Sequence, residues 1–310
     1  MSESSKGRPI LRLALSAMNI ADSSRLQAAL SKIGAQDASI KINAQPQEGY
    51  FSLDGGTTSD LDSICDRLQR EHHLAIKVGA LTAILVETIR RQAEAEGKYI
   101  RQVGGSGNYG HCKLRVEPNE PGKGYDFIND IKGGVVPKEY IKPIDQGVQG
   151  AMELGILAGF QMVDIKVTLF DGSYHEGDSN EMAFKFAGSI ALKEAARKAS
   201  PVLLEPVMAV EVMVPEEFMG VIIGDIKSHR GRIKGMEHAA GMQLIKAIVP
   251  LAELLRSPRF NESSMEFAGY EEVPNWGGFD KTEPGVPAIL PRHPNQGQGS
   301  VAARRESETD

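Results

Sequence analysis

A short polar stretch near the middle of the chain holds the side chains best suited to chemistry. Residues 171–178 contain one tyrosine, one histidine and three carboxylates. A histidine beside carboxylates is able to act in acid–base catalysis or to bind a metal ion. Such a cluster on a short loop is more often solvated, and it has neither the spacing of a catalytic triad nor that of a metal motif. We therefore predict no catalytic residue, no metal site and no cofactor.

A glycine-rich stretch, Gly104–Gly110, is a second candidate site. Glycines can cradle a phosphate, but a dinucleotide fingerprint has a strand before the loop and a helix directly after it. Alternating apolar residues after Gly110 predict a strand instead, so nucleotide binding is not expected. The pattern Gly-x-x-x-x-Gly-Lys-Ser/Thr is absent from the sequence. We therefore expect no hydrolysis of GTP or ATP by the usual P-loop route, and no enzyme.

The composition sets limits on partners and location. The 310 residues are 41% hydrophobic and 25% charged, as in soluble globular proteins of two or three domains. A net charge of −6 argues against a surface that coats nucleic acid, so any contact with RNA is expected to be local. Cys65 and Cys112 are predicted to be reduced, and the polar N-terminus predicts a cytoplasmic protein. No apolar stretch is long enough to predict a membrane span.

The polar stretch lies between a predicted strand and a predicted helix. Residues 165–169 alternate between apolar and polar, which predicts a half-buried strand. Asp178 is predicted to cap a helix, with Glu181 completing a capping box. Apolar residues between Met182 and Ala195 would form the buried face of that helix. A tyrosine and a histidine, Tyr174 and His175, would thus stand on the loop that joins the two elements.

The first eighty residues predict a separate small domain. Alternation and helical spacing give the order β-α-β-β-α-β, with helices that begin near Asp22 and Ser59. Gly34 is predicted to end the first helix. This order is that of a ferredoxin-like split βαβ fold.

Three motifs in one order make the chain resemble bacterial elongation factor G. They are Gly104–His111, Lys132–Ile141 and Phe170–Phe184, which are very similar to the fourth domain of that factor. The first segment resembles its third domain, and the segment from Pro206 resembles its fifth. The resemblance covers residues 8–275. The GTP-binding first domain and the β-barrel second domain of the family have no counterpart in it.

The resemblance implies an α+β protein built of three α/β-sandwich domains. A ferredoxin-like domain is expected over 8–81, a domain like domain 2 of ribosomal protein S5 over 82–201, and a second ferredoxin-like domain over 202–278. Residues 279–310 are rich in proline, glycine and charge, and we expect a disordered tail there. The protein is expected to be a monomer.

The resemblance also implies that two loops meet at a tip, which in elongation factor G enters the ribosomal decoding region beside transfer RNA and messenger RNA. Tyrosines can stack on bases or riboses, histidine can donate to phosphate or a 2′-hydroxyl group, and glycine permits close backbone approach. The predicted tip residues are Gly104, Gly105, Ser106, Gly107, Asn108, Tyr109, Gly172, Ser173, Tyr174 and His175. For Tyr109, a packing role is an equal alternative.

Basic residues are expected to support this contact. Lys113, Lys132, Lys138 and Lys142 would either screen phosphates or be ordinary surface lysines. In the segment that resembles the fifth domain, His229, Arg230 and Arg232 are predicted to face ribosomal RNA.

The sequence departs from the family at two places. Gly55–Leu61 replaces the usual entry to the second helix of the third domain. Residues 254–264 stand where the fifth domain has a helix, and Pro258 would break a helix there. Contacts with the ribosome through that face are therefore left open.

We expect a translation elongation factor G-like protein that binds the ribosome with its tip at the A site. Its role would be in translocation, rescue or protection, alone or with a GTPase supplied by another chain. One alternative is an RNA- or protein-interaction module that kept the fold and no longer binds the ribosome. Another is an excised or degenerate piece of a complete factor, against which the altered Gly55–Leu61 stretch and the long tail argue.

Overall fold

The computed structural model of the protein describes residues 8–37, 39–45, 50–103, 106–239, 241–256 and 265–274. Over these residues the chain forms helices and three mainly antiparallel sheets, so the predicted α+β class is confirmed. Gly104 and Gly105 of the predicted tip, and the predicted tail, lie outside the described residues. None of the described helices is long and apolar enough to cross a lipid bilayer.

The first domain is a four-stranded antiparallel sheet in the order β2-β3-β1-β4, covered by two helices. Alternate residues of β1 are buried, as the sequence predicts, and they meet the buried face of α1. The predicted end of α1 at Gly34 is wrong, because the helix continues to Gln36. The elements are β1 (Leu11–Ala17), α1 (Ser23–Gln36), β2 (Lys41–Gln45), β3 (Tyr50–Gly55), α2 (Thr58–Arg70) and β4 (Ile76–Ala83).

The second domain is a four-stranded sheet in the order β6-β7-β9-β8, in which only β8 runs parallel to its neighbour. Helices α3 and α4 lie together on one face of this sheet, and no described helix covers its other face. A short strand, β5, leads into the domain. The elements are β5 (Val86–Ile89), β6 (Ala93–Val103), β7 (Ser106–Pro118), β8 (Tyr125–Asn129), α3 (Lys138–Leu154), β9 (Ile165–Ser173) and α4 (Glu181–Lys198).

Small residues let the helices approach the sheet closely. A Cβ atom added at Gly97 of β6 would lie 2.0 Å from the carbonyl oxygen of Ala187 in α4. One added at Gly110 of β7 would lie 2.4 Å from the carbonyl oxygen of Ala183. Both contacts exclude any larger side chain, so these glycines set the depth at which α4 packs.

The third domain repeats the split βαβ order, with its sheet arranged β11-β12-β10-β13. Its first helix has normal length, whereas α6, which stands in place of the second, has only four residues. The elements are β10 (Pro201–Pro215), α5 (Met219–Ser228), β11 (Arg232–Ala239), β12 (Met242–Pro250), α6 (Leu251–Leu254) and β13 (Met265–Glu272).

Two features join the domains. The first and third domains share one hydrophobic core, which includes Ala83 of β4 and Leu254 of α6. The second domain is held by a two-stranded ribbon, because β5 before it pairs with the first residues of β10 after it. Chain entry and chain exit of the second domain are therefore fixed side by side.

Candidate RNA-binding tip

The strands bring the two predicted loops together at one end of the second domain. β6 and β7 form a long hairpin whose pairing continues to Val103 and Ser106. β9 lies on the other side of β7, and its last residue, Ser173, is opposite His111. The predicted glycine-rich loop is thus mostly strand, because pairing extends through Ser106–Gly110. Among the described residues, Tyr109 and His111 bond to Ser173, and the Tyr109 and His175 ring centroids are 6.2 Å apart.

A single hydroxyl group ties the two loops to each other. The Ser173 Oγ atom is hydrogen-bonded to the Tyr109 Oη atom at 2.8 Å and to the His111 Nδ1 atom at 2.7 Å. The other ring nitrogen of His111 lies 3.4 Å from Glu96 Oε2. His111 was not among the predicted site residues. Its position two residues after Tyr109 in an alternating strand was the available signal, since both side chains then share one face.

Asp178 fastens the second loop to the hairpin. Its Oδ1 atom accepts the Gly107 N–H at 3.2 Å, and its backbone carbonyl accepts the Tyr109 N–H at 2.7 Å. The predicted cap at Asp178 is therefore wrong. The N-cap of α4 is Asn180, whose Oδ1 atom accepts the Ala183 N–H at 2.9 Å.

The second of the three motifs, Lys132–Ile141, packs beneath the tip. Val136 is buried beside Gly172, where an added Cβ would lie 2.5 Å from the valine methyl group. Tyr140 stacks on the buried ring of Phe184, with ring centroids 4.4 Å apart, and donates to the Ser179 carbonyl at 3.2 Å. This motif thus packs beneath both loops, with its charged residues outside.

Two side chains remain available to a ligand at this tip. Tyr174 is 48% exposed. His175 is exposed, and its Nδ1 atom lies 3.6 Å from Asp178 Oδ2, beyond normal hydrogen-bond length. The Tyr109 hydroxyl, in contrast, is already bonded to Ser173. The arrangement can offer one aromatic face and one imidazole to an RNA strand while the backbone beneath them is held in place.

The four predicted lysines divide into two groups. Lys113 pairs with Asp171 at 2.9 Å, and this hydrogen bond raises the pKa of the lysine and lowers the pKa of the aspartate. Lys132 lies 3.6 Å from Asp130. Lys138 and Lys142 are exposed one turn apart at the start of α3. The last two are therefore better placed than Lys113 to meet a phosphate.

In the third domain, the structure gives Arg230 a different task from the predicted one. Its guanidinium makes a bidentate pair with the buried Glu205 at 2.6 and 2.8 Å and a further bond to Glu253 at 2.9 Å. The hydrogen bond to Glu205 is the main reason that the pKa of Arg230 is raised. Arg230 is thus committed within the domain and is not free to face RNA.

The other two predicted residues, His229 and Arg232, also have partners within the domain. The His229 Nδ1 atom is hydrogen-bonded to the Asp225 carbonyl oxygen at 2.8 Å. Arg232 pairs with Glu271 at the surface, where both side chains are well exposed. Exposed pairs of this kind exchange readily with other partners.

The described residues contain neither a metal-binding cluster nor a disulfide. Within the described ranges, no group of three or more histidine, cysteine or acidic side chains is arranged to hold a metal ion. Cys65 and Cys112 are both free and buried. Burial raises the pKa of the Cys112 thiol to about 12, so this thiol stays protonated at neutral pH.

Comparison with known proteins matches the chain domain by domain. Residues 7–80 match the family Elongation Factor G, domain III, and residues 83–200 match Elongation factor G, domain IV. Residues 202–258 match the Elongation factor G C-terminus. A crystal structure of a protein from Thermus thermophilus is similar, with a TM-score of 0.65 and 36% sequence identity. The similarity covers 86% of this chain and 41% of that one, so the chain spans less than half of that relative.

Proposed function

This chain belongs to the elongation factor G family through its domains III, IV and V, and from that premise we propose that it binds the ribosome and directs the tip of domain IV to the decoding A site. The role is of the translocation, rescue or protection type. The proposal assigns no GTP hydrolysis to these three domains.

The observation that carries this proposal is the construction of the tip. Ser173 and Asp178, at the ends of the second loop, are hydrogen-bonded to Gly107, Tyr109 and His111 of β7. Between them, Tyr174 and His175 stay exposed. A stacking ring and a hydrogen-bond donor on a fixed backbone suit contact with RNA whose bases or 2′-hydroxyl groups are accessible. Domain IV would act as a rigid wedge, and domain V, the last domain of this chain, would supply most of the affinity for the ribosome.

Co-sedimentation of the purified chain with 70S ribosomes at two salt concentrations tests the proposal. We expect binding at low salt that weakens at high salt, since phosphate contacts release counterions. A variant with both Tyr174→Ala and His175→Ala should bind roughly tenfold more weakly, because loss of one stacking contact alone costs about 1–3 kcal/mol.

The control variant combines Ile20→Ala and Lys77→Ala, two exposed side chains of domain III. It removes apolar surface and one positive charge away from the tip. Equal loss of binding in the control and in the tip variant would show that the tip does not direct the contact. No binding at low salt would contradict the whole proposal and favour an interaction module that acts away from the ribosome.

A further inference from the structure

A stacked aromatic pair, of which Phe186 is exposed and Tyr99 is half-buried, lies on the flank of domain IV, outside the tip. The rings of Tyr99 in β6 and Phe186 in α4 are stacked, with centroids 4.8 Å apart and an interplanar angle of 25°. Phe186 is 46% exposed, and Met182, one turn earlier in α4, is 67% exposed. We call Tyr99, Met182 and Phe186 the flank platform. Large apolar side chains grouped in this way at a surface commonly mark a binding site.

The platform exists because β6 is an edge strand that packs on α4 through small residues. The backbone of α4 approaches β6 closely at Gly97, which has no side chain in the way. Tyr99 is the next residue on the same face of the strand. With no strand beyond β6, nothing among the described residues covers the outer side of the Tyr99–Phe186 stack.

The platform is continuous with the tip. Arg101 follows Tyr99 on the same face and is opposite Asn108 in β7. Asn108 in turn accepts a hydrogen bond from the Asn180 side chain, the N-cap of α4, at 2.7 Å. Phe186 lies six positions after Asn180, which is about 9 Å along the helix axis.

Two cations are near the platform: Arg101 follows Tyr99 on the same face of β6, and Lys185 directly precedes Phe186 in α4, while one exposed carboxylate, Glu181, precedes Met182. Arg101 and Lys185 are exposed, and neither forms an ion pair with a carboxylate of the described residues. On the opposite face of the same sheet, by comparison, Lys113 and Arg115 are paired with Asp171 and Glu94. The flank thus offers aromatic faces with free cations, although the chain as a whole is acidic.

We propose that the flank platform binds single-stranded RNA, with a base stacked on the Tyr99–Phe186 pair and neighbouring phosphates met by Arg101 and Lys185. Aromatic faces beside cations are the arrangement that holds unpaired strands, because every base has a face to stack and every nucleotide carries a phosphate. In duplex RNA the bases are stacked on one another, so no base has a free face to stack on the protein's aromatic rings. The inference rests on the proposed function only in that RNA lies within reach of the tip.

Fluorescence anisotropy of labelled RNA tests the platform without the ribosome. The full chain is titrated into a short oligouridylate and, separately, into a duplex of the same length. Wild type is expected to favour the single strand. Phe186→Leu and Tyr99→Leu keep apolar bulk but remove a ring, and each should weaken single-strand binding by roughly fivefold or more with little change for the duplex. Arg101→Gln should reduce the salt dependence of binding.

A matched control is Phe218→Leu, since Phe218 is a 52% exposed phenylalanine in domain V, the last domain of the chain. It should bind the single strand as wild type does. Circular dichroism melts confirm that each variant is folded. Wild type that does not prefer the single strand, or ring variants that bind like the control, would overturn the proposal.

Two further outcomes separate this site from its alternatives. If Tyr174→Ala with His175→Ala abolishes single-strand binding and the ring variants do not, the RNA is held by the tip and the flank proposal fails. If the ring variants lose ribosome co-sedimentation but bind the oligouridylate normally, the platform contacts a protein and the proposal again fails. Ribosome binding by wild type is scored separately, so a failure here leaves the proposed function standing.

Discussion

Arg230 shows how one residue can be taken for a ligand contact when it holds a domain together. It occupies a left-handed backbone position just after α5, with φ at 57°, and from there its guanidinium reaches Glu205 and Glu253. The Glu205 side chain is only 2% exposed, so its charge depends on this partner. Removing one member of a buried pair leaves an uncompensated charge, which is far more costly than the loss of a surface pair.

We therefore predict that Arg230→Met destabilises the third domain by about 3 kcal/mol, whereas Arg232→Met costs at most about 1 kcal/mol. Arg232 is the matched control because its pair with Glu271 is solvent-exposed. Chemical denaturation followed by circular dichroism measures both. Equal stabilities of the two variants would contradict a structural role for Arg230.

At this scale the sequence suggested candidate tip residues but not their hydrogen-bond partners. Asp178 and Asn180 are both good helix caps, and Glu181 stands at capping-box distance from Asp178. Gly107, seventy-one residues earlier, decides between them, because its N–H donates a hydrogen bond to the Asp178 carboxylate and so draws that side chain away from the helix. The same long-range effect hides His111, whose partner Ser173 belongs to another strand. Local spacing contains no information on such contacts.

Among the elements, α3 and α4 are the pair whose separation is set by glycine. A Cβ atom added at Gly147 of α3 would lie 1.9 Å from the Lys185 carbonyl oxygen, whereas one added at Gly150 of the same helix would meet nothing within 4 Å. The two glycines therefore have opposite roles in one helix. Gly147 permits contact with α4, and Gly150 only weakens the helix.

We predict that Gly147→Ala destabilises domain IV by about 1–3 kcal/mol or more, because the helices must move apart. Gly150→Ala should stabilise it by up to about 1 kcal/mol, since alanine favours the helix and has room there. Thermal melts of the two variants provide the comparison. A Gly147→Ala protein as stable as wild type would mean that α3 and α4 do not approach as closely as described.

Element types followed largely from pattern, whereas their extents did not. The alternating residues of β1 and β9 and the apolar face of α1 were correctly predicted. The predicted buried face of α4 was wrong for Met182 and Phe186, which are exposed, because this side of the helix lies at the edge of the sheet. The stretch Gly104–Gly110 was assigned to a loop because glycine usually marks turns. Most of it is strand, since residues 106–110 pair with β6. Gly110 serves the close approach of α4 to β7, not a turn. Glycine that serves close packing cannot be distinguished from glycine that serves a turn until the neighbouring element is known.

For the whole molecule, the orientation of domain IV depends on the ribbon of β5 and β10 and on Glu87 within it. Glu87 is fully buried, and its carboxylate accepts four backbone N–H groups of the loop 156–160. The distances run from 2.6 to 3.1 Å. A strand of the entry ribbon is thereby fastened to the body of domain IV. The ferredoxin-like orders of the outer domains could be predicted from sequence, but this junction could not, because it joins residues about seventy positions apart.

We predict that Glu87→Gln loosens this junction. Glutamine has one carbonyl oxygen, so two of the four N–H groups would face an amino group and lose their acceptor. Each buried donor left unpaired is costly, and hydrogen exchange of the amides in 156–160 should accelerate by about tenfold or more. Glu272→Gln is the matched control, since this exposed carboxylate pairs with Arg90 at the same junction. Unchanged exchange in Glu87→Gln would mean that the β5–β10 ribbon alone fixes domain IV. Faster exchange together with weaker ribosome binding would link the rigidity of the wedge to its proposed role.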